Sequence, residues 1–429
     1  MTHPLRFATL QEWLDWQQAL HPKAIDLGLA RVREVMSRLG LARPAQVVLT
    51  IGGTNGKGSV VAYLDAILRA AGYASGTFTS PHQRRYNERI LVAGRAVADA
   101  DLVDAFGRID AARGETSLTY FEWNALAAFL LLERAALDVA VLEVGLGGRL
   151  DAVNAVDADV AAVVSVGLDH CEWLGDTVDD IGREKAGIFR GGRPAIFGSR
   201  DMPWSVASAA TAAGARLRRL GVDFDFVERP DGWDYVGTGS RRAGLPLPAL
   251  GGAAQLGNAA TALAVLESAE PLLLVPDDAV RAGLAGTSLA GRFQVVAGEP
   301  EWILDVAHNP DAARILAQSL RMRPVRGRTL AVCGILADKD VLGIARAMRP
   351  VVDQWITVGL EGPRSLDAGE LASRLEGENV GPVRHATDVD AGCRLAAGLA
   401  GPLDRVVVFG SFLTVGAALC WLGLPGEEG

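Results

Sequence analysis

The chain has 429 residues, 49% hydrophobic and 22% charged, so it is long enough for two packed domains and too apolar to be disordered. Its formal charge of −9 excludes a broad nucleic-acid-backbone binder, which needs a basic face, but leaves room for an anionic small molecule held by local arginines. Four scattered cysteines (Cys171, Cys333, Cys393, Cys420) without CxxC spacing fit buried thiols in a reducing compartment, not a disulfide frame or a zinc site.

The stretch MTHPLRFATLQEWLDWQQAL lacks the basic-then-apolar pattern of a leader, and no apolar run approaches the ~20 residues of a membrane span. A cytoplasmic protein with no membrane partner is expected. The first buried-strand pattern, AQVVLTIGG, runs into a glycine-rich loop: Gly53, Thr54, Asn55, Gly56, Lys57, Gly58, Ser59. The helical spacing of VVAYLDAILRAAGY follows. The loop departs from G-x-x-x-x-G-K-[ST], because Ile51 stands at the first glycine and Gly58 at the hydroxyl. The physics is retained. Glycines let backbone amides close on a phosphate, Lys57 brings a mobile cation, and Ser59 opens a helix whose positive end favours anions. A nucleoside triphosphate is the ligand this loop suggests; a glycine-rich packing turn is the plainer alternative.

SGTFTS reads as a strand end, and TSPHQRRYNERI (79–90) after it places Ser80, His82, Arg84, Asn87 and Arg89 on the same side as the glycine loop, unless it is an ordinary solvated loop. In LDVAVLEVGLGGRLDAVN, Glu143 interrupts an apolar strand, where an unpaired carboxylate is costly to bury. A metal ion, a base role, or an ion pair with a neighbour such as Arg149 would account for it. ADVAAVVSVGLDH ends on Asp169 and His170. Ser80, Glu143 and His170 beside a triphosphate would form an oxygen-rich site with one nitrogen, suited to Mg²⁺. In GREKAGIFRGG, composition alone makes Lys185 a surface lysine on a helix. RPAIFG supplies another strand.

Continuous apolar strands spaced by helices predict a mostly parallel sheet covered on both faces, with ligands beyond the strands' carboxyl ends. Residues 217–250 break the rhythm: FDFVERPDGWDYVGT alternates around a PDG turn and predicts a small antiparallel hairpin. The α/β alternation restarts with EWILDVAHNP, RTLAVCGILADKD, VDQWITVGL and DRVVVFGSF. The expected division is residues 1–290 and a smaller α/β domain over 291–429. Asn258 and Arg292 flank the hinge between them, Asp305 and His308 sit at the mouth of the second domain's first strand, and ADKD (337–340) reads as a polar turn.

Together these segments resemble the Mur ligase superfamily and, within it, the dihydrofolate synthase/folylpolyglutamate synthase family. GTNGKGS alone indicates the superfamily; SPHQRRYNERI, EVGLGGRLDAVN, GLDH and EKAGIFR narrow it, over a span from AIDLGLARV near residue 24 to GSFLTVG near residue 411. The resemblance implies a P-loop parallel-sheet ATPase domain followed by a Rossmann-like α/β domain. It also implies an enzyme that joins L-glutamate to dihydropteroate or a reduced folate through an acyl phosphate formed from ATP.

Further roles follow from the resemblance. Gly53–Ser59 would hold ATP, with Lys57 on its outer phosphates. Ser80, Glu143 and His170 would surround magnesium, as two ions, and Lys185 matches the family's carbamylated lysine. A monovalent cation is a further candidate. Asn258, Arg292 and Asp305 would contact ATP, and His308 would line the same cleft. Leu27, Gly28, Leu29 and Ala30, with Thr119, Tyr120, Phe121 and Glu122, match stretches that seat the pterin. His82, Arg84 and Asn87 are expected to touch substrate. Lys57, Lys185 and His170 would carry the chemistry, in a monomer.

Two departures are visible: Ala254 stands where family members often carry a histidine, and Gly52-Gly53 replaces the common Ala-Gly. The competing readings are another Mur-type amino-acid ligase, or a P-loop nucleotide switch or kinase. The segment NERI weighs against the first, and the second would not respond to glutamate.

Overall fold

In the computed structural model the described residues are 5–21, 23, 25–270, 272–362 and 364–424. Residues 1–4 and Ala24, which fall in stretches read above for a leader and for the resemblance, lie outside them.

An eight-stranded sheet takes β1 (Ala45–Gly52), β2 (Ser75–Phe78), β3 (Ile90–Val92), β4 (Arg95–Ala96), β5 (Leu137–Glu143), β6 (Val160–Val163), β7 (Pro194–Phe197) and β8 (Arg216–Arg219). Their order is β4-β3-β2-β5-β1-β6-β7-β8. From β2 to β8 the pairs are parallel; β3 is antiparallel to β2, and β4 is antiparallel to β3. β1 lies near the middle because its side chains are apolar toward both faces. Val48 packs into one core with the helix Tyr120–Arg134, while Val47, Leu49 and Ile51 pack into another with the helices Lys57–Ala70 and Gln255–Ala269.

The predicted hairpin is a three-stranded meander of β9 (Asp225–Arg229), β10 (Gly232–Val236) and β11 (Arg241–Leu245), with the PDG turn joining its first two strands. Arg216–Arg219, partly inside the segment read as hairpin, instead extends the large sheet alongside β7. Its RLRR sequence is polar because it is an edge strand.

A second sheet holds β12 (Gln294–Val296), β13 (Glu301–Leu304), β14 (Thr329–Cys333), β15 (Gln354–Val358), β16 (Val383–Ala386) and β17 (Arg405–Phe409), in the order β12-β13-β17-β14-β15-β16. All its pairs are parallel except β12 with β13. It has a core on each face. On one of them Trp355 is fully buried, 6.0 Å from the Phe409 ring, and donates its Nε1–H to Val380 O at 3.2 Å. The four cysteines are free thiols, and among the described residues no helix is long and apolar enough to cross a membrane.

Trp355→Ala leaves a cavity in that core and is expected to destabilise the protein by about 3–5 kcal/mol in a denaturant titration. A loss below about 0.5 kcal/mol, the range of surface substitutions, would mean that the ring does not hold this lobe together.

Candidate active site

The site lies where the carboxyl ends of β1, β5 and β6 meet the second sheet's loops. Leaving β1, the chain turns through Gly53 at φ +145° and Gly56 at φ +87°, both unfavourable for side chains. At Gly56 a Cβ would fall 2.7 Å from Asn258 Oδ1, so the glycine also lets the helix Gln255–Ala269 press on the loop. The loop is stitched to the segment after β6. Thr54 N donates to Ser165 O at 2.8 Å, Asn55 N donates to Ser165 Oγ at 3.0 Å, and Gly167 N donates to Thr54 Oγ1 at 3.0 Å. Lys57 opens the helix Lys57–Ala70, folds back over its own loop, and donates to Gly53 O at 3.1 Å and Thr54 O at 3.3 Å. Ser59 is buried, with Gln255 Nε2 3.5 Å away.

Glu143 ends β5 with only 5% of its surface exposed. Its partner is Lys57, with Nζ 3.9 Å from Oε1, and not Arg149, whose guanidinium binds Glu184 at 2.8 Å. Burial pushes the Glu143 carboxyl above its ordinary range, opposed by the charges of Lys57 and Arg292. The Arg292 guanidinium reaches the same place, 5.2 Å from the Phe412 ring centre.

Lys185 overturns the surface reading. It is 5% exposed and donates to Gly53 O at 3.0 Å. The glycines of GLGG and EKAG account for this. A Cβ on Gly148 would lie 2.7 Å from the backbone oxygens of Glu184 and Lys185, and one on Gly187 would lie 2.4 Å from Arg149 Cβ. Only bare backbone lets the loop close over the helix Val178–Ala186 and bury the lysine. Burial first, and then the neighbouring Lys57, lower its ammonium to about 7.

Beyond the loop after β6, Asp169 accepts from Lys339 Nζ at 2.7 Å and from Asn309 Nδ2 at 3.1 Å, and His308 Nε2 lies 3.6 Å away. His170 Nε2 is 3.4 Å from Lys339 Nζ. Burial and then Lys339 depress its imidazole to about 4. Asp305 accepts from the amides of Phe293 and Ala307 at 2.9 and 2.8 Å, tying the segment before β12 to the end of β13. His82 is held neutral, lowered to about 4 by burial and by Arg89, whose Nε donates to its Nδ1 at 2.8 Å.

A continuous cavity of about 710 Å³ joins these groups. Its lining includes Gly53–Ser59, Ser80, His82, Glu143, His170, Lys185, Asn258, Arg292, Asp305 and His308, and it extends to Leu27, Gly28 and Thr119–Glu122. At that end Gly145 has the Phe121 ring where its Cβ would be, and Glu122 caps its own helix through Thr119 while pairing with Arg31 at 3.0 Å. Four expected residues do not line this cavity: Leu29, Ala30, Arg84 and Asn87. Leu29 and Ala30 begin the helix Ala30–Leu39. Arg84 donates to Leu424 O at 2.9 Å, and Asn87 is buried, donating to Val97 O at 2.7 Å and to Asp99 at 2.8 Å.

Arg89, read on the side of the glycine loop, does line the cavity, and sequence reasoning passed over Lys339, Gln255 and Phe412, which line it too. For Lys339 a signal existed: it follows a buried strand at the same carboxyl edge that carries the other polar groups.

Two family models match the chain: the Mur ligase middle domain over residues 51–226 and the Mur ligase glutamate ligase domain over residues 291–412. The dihydrofolate synthase/folylpolyglutamate synthase of Escherichia coli K12 is 45% identical over 413 residues, spanning 96% of this chain and 95% of that protein. The structure of E. coli FolC in complex with DHPP and ADP superposes with a TM-score of 0.94 at 44% identity, covering 98% of this chain and 99% of that one. The Yersinia pestis bifunctional folylpolyglutamate synthase/dihydrofolate synthase complexed with AMPPNP and Mn ion gives a TM-score of 0.92 at 46% identity, covering 98% and 100%. With relatives this similar along nearly its whole length, the chain belongs to the dihydrofolate synthase/folylpolyglutamate synthase family, built on Mur ligase domains.

Proposed function

We propose that this chain is an ATP-dependent ligase that joins L-glutamate to dihydropteroate and to reduced folates in the cytoplasm. The observation that carries the reading is the single cavity that runs from the glycine loop, past Lys57 and Glu143, to the segments Leu27–Gly28 and Thr119–Glu122. A triphosphate at one end and a pteroate-type carboxylate arriving from the other would meet at the charged pair. The relatives' complexes with nucleotide and with DHPP support this placement.

A carboxylate is a poor acyl donor, so it first takes the γ-phosphoryl group of ATP and becomes an acyl phosphate, releasing ADP. The amides of the glycine loop would hold the phosphates, and Lys57 would exchange its two loop carbonyls for the outer phosphate oxygens. Arg292 and Asn258 would border the nucleotide from the hinge side. Glutamate's neutral amine then attacks the acyl carbon, the tetrahedral intermediate expels inorganic phosphate, and the amide remains. The lobes exclude the water that would otherwise hydrolyse the mixed anhydride. We assign the hinge between them to the region of residue 290, with ATP held mainly by residues 1–290 and glutamate by residues 291–429. A monomer is the working unit we assign to this chain.

The donor set fits a small hard cation. Among the described residues no three His, Cys, Asp or Glu side chains are grouped so as to hold a metal ion by themselves, so Glu143 and Ser80 would supply few ligands and phosphate oxygens the others. Bound there, magnesium would offset the charge developing on the transferred phosphoryl group. As an ammonium, Lys185 does not suit a cation's shell. As a carbamate it would present oxygens of opposite charge, and an amine lowered to about 7 is primed to react with carbon dioxide.

Lys57→Ala should lower glutamate-dependent ADP release by about a hundredfold or more with the unfolding midpoint kept. Turnover within about threefold of the parent would remove the loop from the mechanism, since a phosphate-binding cation contributes more than that. For Lys185 the sign follows from its lowered ammonium: the reactive neutral amine grows as pH rises through about 7. At equal concentrations of dissolved carbon dioxide, protein stripped of it should therefore regain activity faster at about pH 8 than at about pH 6, and Lys185→Arg should stay inactive. Recovery independent of carbon dioxide would contradict the carbamate.

A further inference from the structure

Three contacts unexplained by substrate binding tie the two lobes together around Asp169. Lys339, on the loop after β14, places its ammonium 2.7 Å from Asp169 Oδ1, with side-chain exposures of 6% and 9%. Asn309, which caps the helix Pro310–Met322, donates to Asp169 Oδ2 at 3.1 Å. The same Asn309 exchanges two amide hydrogen bonds with Asn55 of the glycine loop, at 3.0 and 3.1 Å.

We propose that Lys339 and Asn309 are positioning residues of the ligase: by gripping Asp169 and Asn55 they lock the second lobe over the glycine loop, so that glutamate's amine and not water takes the acyl group. A buried ion pair is only weakly stabilising overall, because desolvation offsets much of its attraction. That balance suits a latch. It is dry and directional when closed, yet both groups regain water when the lobes part, so products can leave. Without the latch, water cleaves the mixed anhydride, returning the carboxylic acid and inorganic phosphate, and ADP is released with no amide formed.

The inference rests on the ligase reading, but its test includes a measurement that needs no turnover. Full-length Lys339→Met, Asp169→Asn and the double variant are assayed with MgATP, dihydropteroate and radiolabelled glutamate, counting ADP released per glutamate joined. X-ray scattering of the same proteins reports lobe separation. The parent should release about one ADP per glutamate and each single variant about three or more, with a larger radius of gyration, while the double variant is no worse than the worse single because the partners share one interaction. Asn309→Asp keeps the helix cap but sets a carboxylate against Asp169, and it should behave alike even if the lysine variants fold poorly.

Unchanged coupling in folded variants overturns the latch, as does uncoupling without lobe separation. A higher KM for glutamate with coupling intact also overturns it, by making Lys339 a substrate contact. A parent that joins no glutamate sinks the ligase reading instead, and the scattering alone then decides whether the lobes are latched.

Discussion

Charge held out of water at the carboxyl edge of a parallel sheet is the constraint on which the rest of the structure depends. Glu143 could ionise freely in solvent; in its strand it is buried, and Lys57 at 3.9 Å with Arg292 beyond supplies the compensating charge. Removing one member of such a set would leave the others uncompensated in a low-dielectric site. The sheet fixes the carboxylate and the glycine turn fixes the ammonium, because Glu143 pairs in register with Ile51 only a few residues before the loop. Placement of this charged pair is therefore a consequence of strand register.

The same logic extends to Lys185 and Asp169. Burial first and then the neighbouring Lys57 push Lys185 to shed its proton, opposed by the charges of Asp169 and Asp151. At Asp169 the charged form is favoured instead. Burial opposes its ionisation, but the His308 imidazole and the Lys339 ammonium more than offset that and hold it well below the usual carboxylate range. Both groups are thus shifted downward, with opposite results: the shift favours a neutral amine at one end of the site and a charged carboxylate at the other.

How far the sequence disclosed this depended on burial. β1, β5, β6 and β7 were legible because each is an apolar run flanked by glycine or charge, and the polar clusters after them fell on one edge as the parallel-sheet rule requires. β8 was not, since RLRR at a sheet edge lacks the apolar pattern of a strand. Lys185 was legible only through family resemblance, because its burial comes from the fit of Gly148 against a helix far along the chain. Lys339 looked like part of a polar turn, and it is one; what the local sequence could not carry is that the turn faces Asp169 across the lobe boundary. Arg84 and Asn87 were drawn toward the site by proximity to His82, yet a bend in the loop sends one to Leu424 and the other beneath Val97.

The most direct test of the account is a crystal structure of the protein with AMPPNP and manganese. The account predicts the phosphates on the backbone amides of Gly53–Ser59, Lys57 turned toward the outermost phosphate, and an anomalous manganese peak beside Glu143 and Ser80. Phosphates bound elsewhere, with Lys57 still on the carbonyls of Gly53 and Thr54, would contradict it.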